Sequence, residues 1–110
     1  MAFIKNIEHD TVLKLVDQIQ VQPGQIVSKT LSQNEALSMT LFAFSKGEEI
    51  GTHDSNGDAM VYVLEGEGKY TVGDTNHILK AGDTLIMPAK IAHSIYALSD
   101  LKWLLMVVFK

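Results

Sequence analysis

The sequence predicts an all-β protein in which residues 1–110 form one antiparallel sandwich or barrel. Three observations predict this fold. Short apolar segments rich in β-branched residues recur about every 8 to 12 residues, between turns that contain glycine. No segment shows a convincing helical repeat of apolar residues, and 110 residues suffice for one hydrophobic core but not for two. A closed or nearly closed barrel also hides strand edges that would otherwise favour aggregation.

The first half of the chain predicts three extended segments separated by turns. Residues 11–16 form a short apolar run that is compatible with a strand or with one helical turn, and we interpret it as extended. A Pro-Gly pair at 23–24 favours a type II turn, because glycine accepts a positive φ. Strands are expected at 26–31 and 37–44, with a turn at 32–34 between them.

The second half predicts a series of short strands, each followed by a turn. Four of the strands end at Gly66, Gly73, Gly82 and Pro88. Pro88 ends its strand because proline cannot donate a hydrogen bond to the sheet. These four strands, and two more that complete the chain, are expected at residues 60–65, 69–72, 77–80, 84–87, 93–98 and 101–109.

Composition and charge exclude several classes of function. The chain contains no cysteine, so a disulfide framework and a thiolate nucleophile are excluded, and any metal ion must be held by nitrogen and oxygen atoms. The net charge is -4 and the nine Lys and Arg residues do not cluster, so nucleic acid is not an expected partner. No apolar run approaches the roughly 18 residues of a membrane helix, and the first residues do not resemble a signal peptide. We therefore expect a cytoplasmic protein with no membrane partner.

Two histidines are placed where loops meet apolar strands. His53 precedes a loop of small and acidic residues that leads into the strand at 60–65, and His93 opens another apolar strand forty residues later. Polar groups on separate strands of one barrel can converge on a single pocket. We therefore expect His53 and His93 to share one pocket.

The stretch 47–66, together with Gly82, Pro88 and His93 at their spacing, resembles the two sequence motifs of the cupin superfamily. The resemblance covers about half of the chain, residues 47–97. It implies a small jelly-roll β-barrel, and cupins are often dimers. In metal-binding cupins the first motif supplies two histidines and a glutamate or glutamine, and the second motif supplies one more histidine.

Carried over residue by residue, the resemblance assigns His53 and His93 to two of the histidine positions. Ser55 stands where the first motif has its second histidine, and Ala59 stands where it has its carboxylate or carboxamide. Lys90 replaces a glycine of the second motif. Half of the metal-binding set is thus absent while the motifs of the barrel are retained. The pocket implied by the resemblance is lined by His53, Ser55, Ala59, Val61 and His93.

Carboxylates in the loop after His53 are candidates for a third metal ligand. His53, His93 and Asp58 together would resemble the two-histidine, one-carboxylate sets that hold iron and other divalent metals. Asp54 is an alternative donor, and the expected ion is Mn, Fe, Ni or Zn. Strand alternation argues against Asp58, since it places Ala59 inside the barrel and Asp58 outside.

Three functions are compatible with these residues. The first is a metal-binding barrel whose ion polarises a small carbonyl or carboxylate compound as a Lewis acid. The second is a metal-free module that binds a small molecule, and the third is a dimeric structural protein without catalysis. Residues 101–109 are very apolar for a terminal strand, which predicts a homodimer that covers them. The sequence does not decide whether the protein is an enzyme, because one fold hosts many chemistries.

Overall fold

The chain folds into two antiparallel β-sheets that face each other, in a computed structural model that describes residues 2–110. The predicted all-β jelly-roll barrel is confirmed. Its elements are a 3-10 helix at Leu15–Gln18 and the strands β1 (Ile26–Gln33), β2 (Leu37–Phe44), β3 (Glu49–His53), β4 (Asp58–Glu65), β5 (Glu67–Val72), β6 (Thr75–Lys80), β7 (Thr84–Met87), β8 (His93–Ala97) and β9 (Leu101–Val108).

The order of the strands differs from their order in the sequence. The larger sheet has five strands in the order β1-β2-β9-β4-β7, and the smaller has four in the order β3-β8-β5-β6. The central strand of the larger sheet is β9, which pairs with β2 on one side and β4 on the other. Consecutive strands change sheet repeatedly, for example from β3 to β4, as a jelly-roll topology requires.

The main core lies between the two sheets. Alternation along β4 shows how the chain builds it, since Ala59, Val61 and Val63 are buried while Met60 and Tyr62 are exposed. Each sheet thus presents one apolar face to the other. The buried members of this core are Phe44, Ala59, Val61, Val63, Tyr70, Leu79, Met87, Ile95, Ala97, Leu101, Trp103 and Val107.

The N-terminal segment covers part of the outer face of the five-stranded sheet. A second buried cluster lies there, formed by Ile19, Leu31, Leu41 and Ala43. Leu15 packs against it from a 3-10 helix, so the expectation that residues 11–16 are extended is wrong at the end of that run. A short apolar run fits both the helical and the extended spacing of apolar residues, so its conformation depends on how it packs on the sheet. Within residues 2–110, no helix has the length and apolar character needed to cross a membrane.

Two of the turns illustrate where glycine is required. Gly24 has a φ of 70°, and the Gln25 N–H donates to the Gln22 carbonyl at 3.0 Å, which confirms the predicted Pro-Gly turn. Gly66 has a φ of 83°, and a Cβ at this position would overlap the carbonyl oxygen of Asp100. Only glycine therefore fits at position 66 without moving the backbone.

The turn between the first two strands lies two residues later than expected. β1 continues to Gln33, and the chain turns at residues 34–36. Asn34 Oδ1 accepts hydrogen bonds from the N–H groups of Ala36 and Leu37 at 2.8 and 3.0 Å. The asparagine side chain thus provides an acceptor for backbone N–H groups at the point where the strand pairing ends.

Candidate functional site

His53 and His93 lie side by side at one end of the barrel. His53 is the last residue of β3 and His93 is the first of β8, and the two residues are direct partners in the antiparallel pairing of these strands. Their Nε2 atoms are 3.1 Å apart, and their ring planes are inclined at 73° with centroids 4.3 Å apart. His53 is exposed to solvent, whereas His93 is only 4% exposed. The two imidazoles therefore form one site that is reached from the rim of the barrel.

The backbone determines which ring nitrogen of each histidine carries its proton. His53 Nδ1 lies 2.9 Å from the Gly51 carbonyl oxygen, and His93 Nδ1 lies 3.2 Å from the Ile91 carbonyl oxygen. A carbonyl oxygen only accepts hydrogen bonds, so each Nδ1–H is the donor. In the neutral rings both Nε2 atoms are then unprotonated, and their lone pairs face each other across 3.1 Å. That contact is repulsive unless a proton or a cation lies between the two nitrogens.

The surroundings of His93 favour its neutral form. Burial, followed by the charge of His53, holds the pKa of His93 below its ordinary value of 6.5. The hydrogen bond to Ile91 and the charge of Asp54 act in the opposite direction and are weaker. The lowered pKa keeps His93 neutral near neutral pH. The neutral imidazole is also the form that binds metal ions.

A cavity of about 130 Å³ adjoins the histidine pair inside the barrel. Four of the residues expected in the pocket line it, namely His53, Ser55, Ala59 and His93. Val61 does not border this cavity, because its side chain is fully buried in the core two residues further along β4. The remaining lining residues are apolar: Phe42, Ile50, Met87, Ile95, Trp103, Leu105 and Val107.

An aromatic wall on one side of this cavity was not predicted from the sequence. Phe42 and Trp103 are partners across β2 and β9, and their rings stack with centroids 4.7 Å apart and planes inclined at 21°. Trp103 is fully buried and also lines the cavity, and its Nε1 has no hydrogen-bond partner in the described part of the chain. The alternation in each strand indicates that both rings face inward, but the pairing that brings them together is not local.

Comparison with known proteins assigns the family. A family model described as a cupin domain matches residues 40–109, which is more than half of the chain. The chain belongs to the cupin family. No curated protein matches it in sequence.

Solved structures of similar proteins agree with this fold. A conserved protein of unknown function from Streptococcus pyogenes is 41% identical, with a TM-score of 0.97, over 100% of this chain and 96% of that one. A cupin superfamily protein from Desulfitobacterium hafniense is 28% identical, with a TM-score of 0.94, over 99% of this chain and 100% of that one. A cupin 2 conserved barrel domain protein from Leptotrichia buccalis is 41% identical, with a TM-score of 0.84, over 87% of this chain but 47% of its own length. This cupin therefore spans about half of the Leptotrichia protein.

In this cupin, two hydrogen bonds tie together the loops beside the histidines. Asp58 Oδ1 accepts a hydrogen bond from the Ala89 N–H at 2.8 Å, and the Lys90 N–H donates to the Ser55 carbonyl at 2.7 Å. Lys90 has a φ of 67°, so it retains the left-handed backbone conformation that the glycine of the second cupin motif would adopt easily. These bonds hold the loop after β7 against the loop before β4.

The structure does not bring Asp58 to the histidine pair. Asp58 is an exposed residue at the start of β4, and its carboxylate is engaged by the backbone of Ala89, while the adjacent Ala59 lines the cavity. The proposed set of His53, His93 and Asp58 is therefore not assembled. In residues 2–110 no group of three or more His, Asp or Glu side chains could hold a metal ion, which also applies to Asp54.

The donors that the barrel does assemble are two imidazoles. Their Nε2 atoms converge, which is the arrangement that imidazole ligands of one ion require. Two protein ligands leave several coordination positions for water or for a bound compound. The site therefore fits a divalent ion only as an open, weakly held centre.

Proposed function

We propose that this cupin domain binds a divalent metal ion together with a small carbonyl or carboxylate compound at His53 and His93. The observation that carries the proposal is the distance of 3.1 Å between two Nε2 atoms whose rings are both oriented by backbone carbonyls. Two imidazole nitrogens at about 2.0–2.1 Å from one ion lie roughly 3.0–3.4 Å apart, so the pair has the spacing of neighbouring metal ligands. Hydrogen bonds from Nδ1 to the backbone are the usual means of orienting such ligands.

The cavity beside the histidines supports a small ligand. Its volume of about 130 Å³ is well below the roughly 300–1,000 Å³ of pockets for drug-sized molecules. Phe42, Trp103 and Leu105 line it with apolar surface, whereas the imidazoles lie at its rim. A compound of a few non-hydrogen atoms would place its polar end at the histidines and its apolar part against this wall.

Each part of the site has a distinct role in the proposal. His53 and His93 would hold the ion, and the carbonyls of Gly51 and Ile91 keep both Nε2 atoms free of protons for that purpose. When bound, the ion supplies Lewis-acid polarisation of an oxygen atom of the ligand. The apolar wall excludes water, which strengthens any electrostatic interaction made there.

Metal binding by tag-free protein tests the proposal. After dialysis against a chelator, the wild type should bind Mn²⁺, Fe²⁺, Ni²⁺ or Zn²⁺ with one ion per chain, measured by calorimetry and by elemental analysis. His53→Ala and His93→Ala should each weaken metal binding by at least about 10–100-fold, because each variant removes one of the two imidazole ligands. His77→Ala is the matched control, since His77 lies in β6 and does not line the cavity. Equal binding by all four proteins, or no binding by the wild type, would contradict the proposal.

A second candidate function is metal-free binding of a small carboxylate. It is favoured by the absence of a third His, Asp or Glu donor near the pair in residues 2–110, and by the fact that 3.1 Å is also a hydrogen-bond distance. One proton shared between the two Nε2 atoms would give a singly charged pair that attracts an anion. In that case chelator-treated protein would bind a small carboxylate, and added metal would not strengthen the binding.

A further inference from the structure

A second cavity, which we call the outer cavity, lies between the N-terminal segment and the outer face of the five-stranded sheet. Leu31 of β1, Met39 of β2 and Leu104 of β9 line it from the sheet, and Ile7 and Leu15 line it from the segment. Its volume is about 380 Å³, against about 130 Å³ for the cavity beside the histidines. The outer cavity therefore falls within the roughly 300–1,000 Å³ of pockets that take drug-sized molecules.

The outer cavity is separate from the histidine site. Leu104 lines the outer cavity, whereas Leu105, the next residue of β9, lines the cavity beside the histidines. Adjacent residues of a strand point to opposite faces of the sheet. Met39 and Met87 divide in the same way, and the two cavities share no lining residue. A molecule in the outer cavity is thus on the other face of the sheet from the histidine pair.

Hydrogen bonds on both sides of the outer cavity hold the N-terminal segment to the sheet. The Lys5 N–H donates to the Leu31 carbonyl at 2.7 Å. Further along the segment, the Val16 carbonyl accepts a hydrogen bond of 2.9 Å from Nζ of Lys102, a buried residue of β9. Residues 6–15 span the space between these two anchors. The anchors keep the segment from closing onto the sheet, so the outer cavity is built into the fold.

The apolar side chains around the outer cavity are incompletely covered. Ile7, Leu15, Met39 and Leu104 pack against the second buried cluster, yet each of them is only partly buried. The N-terminal segment therefore leaves apolar surface that an added molecule would remove from water. Burial of such surface is favourable by roughly 25 cal/mol per Å².

The charged groups of the outer cavity are carboxylates. Glu8 and Asp10 line it, together with His9, and none of its lining residues is Lys or Arg. Neither carboxylate forms an ion pair with another side chain of residues 2–110. His9 is held in place because its Nε2–H donates to the Ile4 carbonyl at 2.7 Å. The polar edge of the outer cavity thus carries negative charge.

We propose that the outer cavity binds an aliphatic ammonium compound. The apolar body of the compound lies against Leu31, Met39 and Leu104. Its positively charged nitrogen lies at the carboxylates of Glu8 and Asp10. These two acids attract a cation and repel an anion, so they select the charge of the ligand while the apolar lining supplies most of the affinity. The proposal does not depend on metal binding at the histidine pair.

Three compounds with the same alkyl chain test the selection of charge. Octylammonium, 1-octanol and octanoate differ in the charge of the head group. In calorimetry on the full chain at about pH 8, where an alkylamine is protonated, one octylammonium should bind per chain. Octanol should bind about 3–10-fold more weakly, because ion pairs with exposed carboxylates are modest, and octanoate more weakly still. Octylammonium that does not bind, or that binds no more tightly than octanol, would overturn the proposal.

Nuclear magnetic resonance of methyl-labelled wild type tests the location. Octylammonium should shift the methyl resonances of Met39 and Leu104 and leave those of Met87 and Leu105 unchanged. Shifts confined to Met87 and Leu105 would mean that the amine enters the other cavity, and would overturn the proposal. Met39 and Leu104 resonances that change with protein concentration in the absence of amine would mean that a second copy of the chain occupies the outer cavity, which would also overturn it.

A double variant tests the two carboxylates. Glu8→Gln with Asp10→Asn keeps the shape of both side chains, and asparagine accepts the φ of 54° at position 10. It should weaken octylammonium binding about 3–10-fold and leave octanol binding unchanged. Asp17→Asn is the matched control, because Asp17 is an exposed acid of the same segment that does not line the outer cavity. Equal octylammonium affinity in the double variant and the wild type would contradict the proposal.

Discussion

The two ends of the barrel interior are built from the same strands but are packed very differently. At one end, which we call the packed end, Val63, Tyr70, Ala97 and Leu101 are completely inaccessible to solvent. At the other, the open end, a cavity of about 130 Å³ separates the histidine pair from Leu105 and the aromatic wall. β4 and β9 run from one end to the other, so each strand contributes to stability at one end and to the candidate site at the other.

The difference between the ends follows from side-chain size and strand length. At the open end the chain places Ser55 and Ala59 where larger side chains would fill the interior, and β3 ends at His53. At the packed end the Tyr70 ring meets the Trp103 ring edge-on, with their centroids 5.5 Å apart. Burial there is complete enough to raise the pKa of Tyr70. We conclude that most of the folding stability resides at the packed end, whereas the candidate site lies at the open end.

We expect the largest effect on the free energy of unfolding when alanine replaces one of two leucines of β9 that face the same side of the sheet. Leu101→Ala should lower the free energy of unfolding by about 3–4 kcal/mol, because it leaves a cavity in close-packed core. Leu105→Ala should cost only about 1–2 kcal/mol, because Leu105 already borders an empty space. Urea denaturation measures both values, and equal losses would show that the two ends do not differ in packing.

Filling the cavity should separate binding from folding. Ala59→Leu places a larger side chain in the cavity and should abolish binding of the small ligand, while lowering the free energy of unfolding by about 1–3 kcal/mol. Met60→Leu is the control, because Met60 faces away from the cavity. Calorimetry measures binding for both variants. Retention of full affinity in Ala59→Leu would mean that the ligand does not enter this cavity.

The free energy of unfolding should depend on pH through His93 at the open end. Since the folded protein holds the pKa of His93 below 6.5, the unfolded chain takes up a proton at this residue first as the pH falls. The free energy of unfolding of metal-free protein should therefore decrease from about pH 7.5 to about pH 5. His93→Gln should make this dependence shallower, and His77→Gln, outside the cavity, should not. An unchanged slope in His93→Gln would contradict the assignment to His93.

The smallest expected effect concerns the backbone of the loop beside the open end. Lys90→Gly should change the free energy of unfolding by no more than about 1 kcal/mol, because relief of the left-handed conformation offsets the greater freedom of glycine in the unfolded chain. Lys80→Gly, within β6, lacks that relief and should be destabilising by about 0.5–1 kcal/mol. Thermal unfolding compares the two. A greater loss in Lys90→Gly than in Lys80→Gly would be inconsistent with the φ of 67° at Lys90.

Most of the fold could be predicted from local patterns in the sequence. The strand expected at 37–44 coincides with β2, because its alternation of apolar and polar residues and its flanking turns are local signals. The segment 11–16 was misinterpreted because its conformation depends on packing against Leu31 and Leu41, which are remote in the sequence. The fold was thus predictable where residues specify their own conformation.

The candidate site was predictable to a smaller extent. The cupin motifs and the strand spacing indicated that His53 and His93 belong together, and the pairing of β3 with β8 places them next to each other. Their role in binding remains a prediction. The sequence could not show that Asp58 bonds to Ala89, or that Phe42 meets Trp103, because both contacts depend on pairing between distant strands.

We infer that His53 and His93 direct two unprotonated Nε2 atoms at one point. Nitrogen NMR of isotopically labelled, metal-free protein at mildly alkaline pH reports the tautomer of each ring, with resonances assigned from the single histidine variants. We expect both rings to carry their proton on Nδ1, and we expect added Zn²⁺ to shift both Nε2 resonances together. A proton on Nε2 of either ring, or Zn²⁺ that shifts neither resonance, would contradict it.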